Sequence, residues 1–201
     1  MAKGGVAQMI VKPGADSLAA SVTKATGAKK GPAPVHLWNP PYCGEIDIRI
    51  ARDGLWFYLG TPIGRQPLVD LFAGILKLED GKYFLVTPVE KVGIIVEDAP
   101  LFVVDAEASG EGRAQNVTFF TRTGDEVMAG PDHRLRVERD PEDGEPSPYI
   151  HIRSGLEARI DRKTFYRLVD LCTHEVLDGE AWFGLWSGGT FFPVIPSAEL
   201  P

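Results

Sequence analysis

A strict alternation of apolar and charged residues opens the folded part of the chain. Between positions 45 and 50, isoleucine alternates with Glu45, Asp47 and Arg49, which predicts a strand with one buried face. The dipeptide Asp53-Gly54 favours a hairpin turn, and residues 55–59 return as a second strand. Further strands are predicted over 83–87, 92–96, 101–106, 116–122, 126–129, 134–139, 149–153, 156–160, 182–186 and 191–195.

Helical spacing of apolar residues appears at three places. Leu18 and Val22 predict a short helix that ends near residue 26, with Asp16 or Ser17 as its N-cap. Two further helical faces consist of Leu68, Leu71, Phe72 and Ile75, and of Phe165, Leu168, Val169 and Cys172. Together with 22 glycines and 16 prolines, which indicate many turns, the pattern predicts a β-rich α+β fold.

An internal repeat is the strongest sign of architecture. The second helical segment repeats the first at an offset of 97, and the Asp-Gly turns that follow are 98 positions apart. The matched pairs are Ile63 and Ile160, Arg65 and Arg162, Leu68 and Phe165, Leu71 and Leu168, Phe72 and Val169, Asp80-Gly81 and Asp178-Gly179, and Phe84 and Trp182. The repeat predicts two related lobes, each with antiparallel strands and one helix.

Composition and charge divide the chain into three segments. Residues 1–34 form a basic segment expected to be flexible, and its last part, 27–34, is typical of a linker. The first lobe is expected over 35–100 and the second over 101–201. Residues 1–35 carry a net charge of +4, which leaves −11 on the remainder. An acidic body repels a phosphate backbone, so no nucleic-acid partner is expected.

Other functional classes lack their usual sequence signs. No apolar stretch reaches the length of a membrane span, and the first 30 residues have no apolar core of a secretory signal. Cys43 and Cys172 are too few for a disulfide scaffold, so a cytoplasmic location is expected. Their spacings to His36 and His174 do not resemble a zinc site, and no metal or known cofactor is predicted.

Candidate ligand chemistry lies around the first hairpin. Residues 60–65 (GTPIGR) combine glycines with the start of a helix, although they lack the phosphate-loop motifs. Trp56 and Tyr58 share one face of their strand, and Asp47 and Arg49 share the polar face of the strand before it. Aromatic stacking surface next to charge is what a planar, charged ligand requires.

Three long motifs resemble an uncharacterised bacterial family, domain of unknown function 1285. They are CGEIDIRI, DGLWFYLGTPIGR and LVTPVEKVGIIVEDAP, and the resemblance extends over about residues 35–195. It implies two repeated lobes, the second similar to pleckstrin-homology-like barrels. It also implies a ligand site at the lobe interface, for a nucleotide-like molecule, and a role in signal transduction or stress response.

Eight residues match the motifs of that family and are the predicted ligand contacts: Asp47, Arg49, Trp56, Tyr58, Thr61, Arg65, Glu90 and Lys91. The resemblance implies no catalytic residue. The favoured hypothesis is therefore a non-enzymatic protein that binds a small anionic or nucleotide-like ligand. A protein-interaction module that uses edge strands and residues 140–148 is the first alternative. An enzyme with Asp47 or Glu90 as general base is the second.

Arg65 carries a separate structural prediction. Because an arginine stands at the same place in both copies of the repeat, we expect the Arg65 side chain to donate a charge-assisted hydrogen bond. Its expected acceptors are Asp47, Glu90 or a carbonyl of the following loop. A free surface arginine is the alternative.

Overall fold

The computed structural model describes residues 14–26, 31–142 and 144–200. Within these ranges the chain forms three α-helices, α1 (Ala15–Thr26), α2 (Gln66–Ala73) and α3 (Arg162–Val169), and fifteen strands. The strands are β1 (Tyr42–Ile50), β2 (Trp56–Tyr58), β3 (Thr61–Pro62), β4 (Leu76–Glu79), β5 (Lys82–Val86), β6 (Lys91–Val96), β7 (Leu101–Ser109), β8 (Asn116–Thr121), β9 (Glu126–Met128), β10 (Leu135–Arg139), β11 (Pro146–Arg153), β12 (Leu156–Ile160), β13 (Thr173–Leu177), β14 (Glu180–Ser187) and β15 (Thr190–Pro196). The predicted β-rich α+β class is confirmed.

The two six-stranded sheets have the same topology. Their strand orders are β3-β2-β1-β6-β5-β4 and β10-β11-β12-β7-β8-β9, so each joins two three-stranded meanders along a central pair. β12 and β7 pair in parallel. β1 and β6 also run in the same direction, since the Lys91 N–H donates to Pro41 and the Glu97 N–H to Ile50. The prediction of two repeated lobes is confirmed at the level of the sheets.

Strands β13, β14 and β15 form a third, antiparallel sheet. Together with α3 and the second six-stranded sheet, it makes the chain after residue 100 rich in strands. This agrees with the pleckstrin-homology-like barrel that the resemblance implied. Strands β4 and β13 were not predicted, because each follows a helix so closely that its first apolar residue continues the helical spacing.

The described residues fall into two compact units. The first contains the chain up to Arg49 together with Phe57–Ile95, and the second contains Ile50–Trp56 together with the chain from Val96 onward. In the first unit, Leu18, Val22 and Phe72 are buried, as their helical spacing predicts. Residues 1–13 and 27–30, with half of the basic segment and half of the linker, lie outside the described residues.

The residue correspondence in the predicted repeat needs a correction. α3 begins and ends 96 positions after α2, not 97. The buried residue Phe72 therefore corresponds to Leu168 rather than to half-buried Val169. Arg65 is the N-cap of α2, whereas Arg162 is the first residue of α3 after its N-cap, Asp161. The two arginines are thus not equivalent.

Both predicted Asp-Gly turns are present, one between β4 and β5 of the first six-stranded sheet and the other between β13 and β14 of the third sheet. Asp80 and Gly81 have φ values of 48° and 74°, and Asp178 and Gly179 have 50° and 87°. Two consecutive positive φ angles are what a two-residue hairpin turn requires. No helix in the described part of the chain has both the length and the apolar composition needed to cross a membrane.

Candidate functional site

A pocket of about 550 Å³ lies within the second unit. Its wall combines the first hairpin turn, the starts of β7 and β11, the end of β12 and the first turns of α3. The lining residues are Ala51, Arg52, Asp53, Glu97, Phe102, Glu145, Pro146, Pro148, Arg159, Ile160, Asp161, Arg162, Phe165 and Tyr166. The volume is within the range of small-molecule sites, roughly 300–1,000 Å³.

The hairpin turn is fixed against β7 by close packing. Gly54 has a φ of 76°, and a Cβ atom there would lie 2.7 Å from Cβ of Phe102. The guanidinium of Arg122 lies 4.9 Å from the centre of the Phe102 ring and donates to the carbonyl of Asp53. Only glycine fits this position, so the sequence Asp53-Gly54 places Arg52 and Asp53 at the pocket wall.

Arg52 offers the pocket an uncommitted cation. Its backbone N–H donates to Oε2 of Glu97 at 3.1 Å, which orients the turn. Its side chain is exposed, and within residues 14–26, 31–142 and 144–200 the guanidinium has no hydrogen-bond or ion-pair partner. Five N–H groups are therefore available to an acceptor from outside the chain.

Arg159, in contrast, is held by a half-buried network. Its guanidinium donates to Asp98 and to Oγ of Ser147, and the Tyr149 hydroxyl donates to the other oxygen of Asp98 at 2.8 Å. Burial and the neighbouring Asp98 raise the pKa of Tyr149, so the phenol stays protonated and keeps donating. The Asp98 side chain is only 14% exposed, and this arginine is a fixed part of the wall.

Arg162 makes a third kind of contact at the pocket. It forms an ion pair with Glu145, in which the two side chains are 68% and 51% exposed. The preceding residue, Asp161, accepts the backbone N–H of Thr164 at 2.7 Å and so caps α3. The buried ring of Phe165 and the exposed ring of Tyr166 project from the first turns of the same helix and supply aromatic surface.

None of the eight sequence-predicted residues lines this pocket. Seven belong to the first unit, and Trp56 belongs to the second. Asp47, Thr61 and Arg65 are exposed, Arg49, Tyr58, Glu90 and Lys91 are half-buried, and Trp56 is buried. Their role as ligand contacts stays a prediction.

Two of the predicted cations contact aromatic rings of their own unit. The guanidinium of Arg49 lies 4.3 Å from the centre of the Phe57 ring, and Nζ of Lys91 lies 5.0 Å from that of Phe84. Lys91 also pairs with Glu79 at 2.7 Å, and Lys77 pairs with the other oxygen of that carboxylate. The hydrogen bond from Lys77, followed by that from Lys91, lowers the pKa of Glu79. The rings in these two contacts are Phe57 and Phe84, whereas the sequence analysis named Trp56 and Tyr58 as the aromatic surface.

The structural prediction for Arg65 was wrong. The residue is exposed, its side chain makes no capping hydrogen bond, and it has no ion-pair partner in the part of the chain that the structure describes. Its counterpart in the predicted repeat, Arg162, is paired because Glu145 precedes β11 in the second unit.

The cysteine and histidine pairs noted in the sequence have ordinary contacts. Sγ of Cys172 donates to the Leu168 carbonyl, and burial raises the pKa of this thiol to about 12. Nδ1 of His174 lies 2.8 Å from Oγ of Ser197. Among the described residues, no three His, Cys, Asp or Glu side chains are grouped as a metal site requires.

The sequence analysis did not predict that Arg52, Arg159 and Glu145 line one pocket. Arg52 directly precedes the predicted turn, and Arg159 occupies a polar position of a correctly predicted strand. The sequence did not reveal that β12 pairs with β7 or that residues 50–56 belong to the second unit. These are long-range contacts that no local pattern encodes.

Comparison with known proteins gives a consistent family assignment. Residues 33–99 match the domain of unknown function DUF1285, N-terminal domain, and residues 100–194 match the protein of unknown function DUF1285, C-terminal domain. The chain belongs to the DUF1285 family. The earlier resemblance is thereby confirmed, and the two matched regions together span most of the chain.

A solved structure of a DUF1285 protein agrees with this assignment. A family member from Silicibacter pomeroyi is 58% identical, with a TM-score of 0.82 over 90% of this chain and 96% of the other. A second member, from Shewanella baltica, is 32% identical over 61% of this chain and 90% of the other, with a TM-score of 0.47. A search of curated proteins gives no match.

Proposed function

We propose that this DUF1285 protein is a non-enzymatic binding protein for a small anionic, nucleotide-like ligand. We place the ligand in the pocket of the second unit. The observation that carries the proposal is the guanidinium of Arg52, which has no partner among the described residues and lies at the wall of a pocket of about 550 Å³ that also has aromatic surface. A role in bacterial signal transduction or stress response and a cytoplasmic location, both expected from the sequence, belong to the same proposal.

Four carboxylates line the pocket beside three arginines, so the pairing of these groups, and not their formal charge, favours an acceptor-bearing ligand. Each carboxylate already accepts a hydrogen bond or an ion pair from the chain. Glu97 accepts from Arg52, Asp53 from Leu55, Asp161 from Thr164, and Glu145 pairs with Arg162. Among the hydrogen-bond donors of the wall, the Arg52 guanidinium has no acceptor within the described residues, which suits a phosphate or carboxylate group.

The remaining wall suits a flat, partly apolar body. Phe102, Phe165 and Tyr166 are aromatic, and Pro146 and Pro148 add rigid apolar surface. A purine or similar ring gains stacking and burial against such a wall. The pocket thus offers both a guanidinium for a charged group and aromatic surface for a ring, which is the chemistry of a nucleotide.

The test is a titration of the full chain with AMP, ADP and GTP by thermal shift and calorimetry. A ligand at 100 times its dissociation constant should add about 2.7 kcal/mol to the free energy of unfolding. Arg52→Ala should weaken binding about ten- to 150-fold, since hydrogen bonds to a charged group contribute about 1.5–3 kcal/mol.

Arg65→Ala is the matched control, because Arg65 is also an exposed arginine with no ion-pair partner among the described residues, and it lies outside the pocket. Unchanged affinity in this variant supports the pocket of the second unit. A loss confined to Arg65→Ala would instead support the residues predicted from the sequence. If none of the three nucleotides binds, the proposal is overturned in favour of the protein-interaction alternative.

A further inference from the structure

We infer that Glu145 is a built-in competitor of the ligand, which occupies Arg162 until an anionic group displaces it. This inference rests on the proposed function and adds a second anion contact to it. Both partners of the Glu145–Arg162 ion pair line the pocket. The Glu145 carboxylate therefore occupies the position at which the anionic group of a ligand would bind Arg162, the second arginine.

The three arginines of the pocket differ in how readily they can exchange their partners. Arg159 is held by Asp98, which is 14% exposed and also accepts a hydrogen bond from Tyr149. Displacing Asp98 would leave a half-buried charge without its partner, which is costly. Arg162 and Glu145 are 68% and 51% exposed, and an ion pair with such exposure contributes little.

The exchange is balanced in charge and in hydrogen bonds. One carboxylate–guanidinium contact breaks, one ligand–guanidinium contact forms, and the released Glu145 carboxylate is hydrated by solvent. Arg52 needs no such exchange, since within the described residues its guanidinium has no partner. The ligand thus gains its first contact at Arg52 and completes a two-arginine clamp only by displacing Glu145.

Competition of this kind predicts that loss of an acidic residue improves binding of an anion. Glu145→Gln removes the charge at nearly constant shape and should tighten AMP binding about two- to fivefold, the range expected for an exposed ion pair. Glu142→Gln is the matched control. It removes the same charge from the same loop, and Glu142 is exposed and does not line the pocket.

The Arg162→Gln variant identifies the site of the effect. It should weaken AMP binding, and in its background Glu145→Gln should no longer tighten binding. Equal gains from Glu145→Gln and Glu142→Gln would mean general electrostatics and would overturn the inference.

The experiment separates the inference from the proposed function. If wild-type protein binds AMP through Arg52 but Glu145→Gln leaves the affinity unchanged, only the competitor is overturned. Binding of AMP by Glu145→Gln alone supports the competitor, and the proposed function is then decided by ADP and GTP with the wild type. If no variant binds AMP, the competitor is overturned, and the proposed function falls only if ADP and GTP also fail to bind the wild type.

Discussion

The two six-stranded sheets share one strand order but differ in where their helix is attached. In the first sheet, α2 connects β3 to β4 and lies between the two meanders along the chain. In the second, β9 and β10 are joined by residues 129–134 without a helix, and α3 follows the completed sheet at β12. The sheet is therefore the repeated element, and the helix is placed differently in the two copies.

This difference decides which copy has the pocket described above. Because α3 starts directly after β12, its first turn brings Arg162, Phe165 and Tyr166 beside Arg159 and Ile160 at the end of that strand. α2 starts after the short strand β3, and its N-cap, Arg65, is exposed. The same local pattern, an arginine before an apolar helix face, therefore leads to a paired pocket residue in one copy and an exposed residue in the other.

The largest expected effect tests the correspondence between the two helices. Phe72→Ala and Leu168→Ala should lower the free energy of unfolding by about 3–5 and 2–5 kcal/mol, since each removes a buried side chain. Val169→Ala, at the position that the offset of 97 matches to Phe72, should cost only about 1 kcal/mol because Val169 is half-buried. Urea unfolding measures all three variants. A larger cost for Val169→Ala than for Leu168→Ala would contradict the correspondence at an offset of 96.

Local patterns were enough to predict most of the strands and the helices. Alternation placed β12 at its observed bounds, and the Asp-Gly dipeptides located two hairpin turns correctly. Pro67 lies in the first turn of α2, where its fixed φ is compatible with a helix. These features depend on residues within a few positions of one another, so a single sequence contains the information.

The errors concern contacts between distant segments. The correspondence of Arg65 with Arg162 came from counting positions, and a shift of one residue in a helix rotates a side chain by about 100°. The location of Arg52, in turn, depends on residues 50–56 belonging to the second unit. Neither the one-residue shift nor this long-range packing has a local sequence sign.

The next effect concerns the two N-caps. Asp161→Ala should destabilise the protein by about 1 kcal/mol, because the Thr164 N–H would lose its acceptor. Arg65→Asp should stabilise it by about 0.5–1 kcal/mol, since Arg65 has extended N-cap geometry but no capping hydrogen bond. Thermal unfolding measures both changes. Arg65→Ala separates loss of the arginine from gain of the cap, and an equal gain in that variant would contradict a capping effect.

The smallest effect concerns the acid dependence of the first unit. Lys77 and Lys91 lower the pKa of Glu79 below its ordinary value of 4.5. A carboxylate whose pKa is lower in the folded state stabilises the fold above its unfolded pKa, and this contribution is lost as the pH falls through the folded value. Glu79→Gln should therefore cost at most about 1 kcal/mol at pH 7, and the difference from wild type should decrease as the pH falls below 4.5. Urea unfolding between pH 7 and pH 3 measures this difference.

Glu45→Gln, at an exposed position with no ion pair among the described residues, should show little difference at any pH. A Glu79→Gln deficit that is as large at pH 3 as at pH 7 would mean that the side chain acts through packing rather than through its charge.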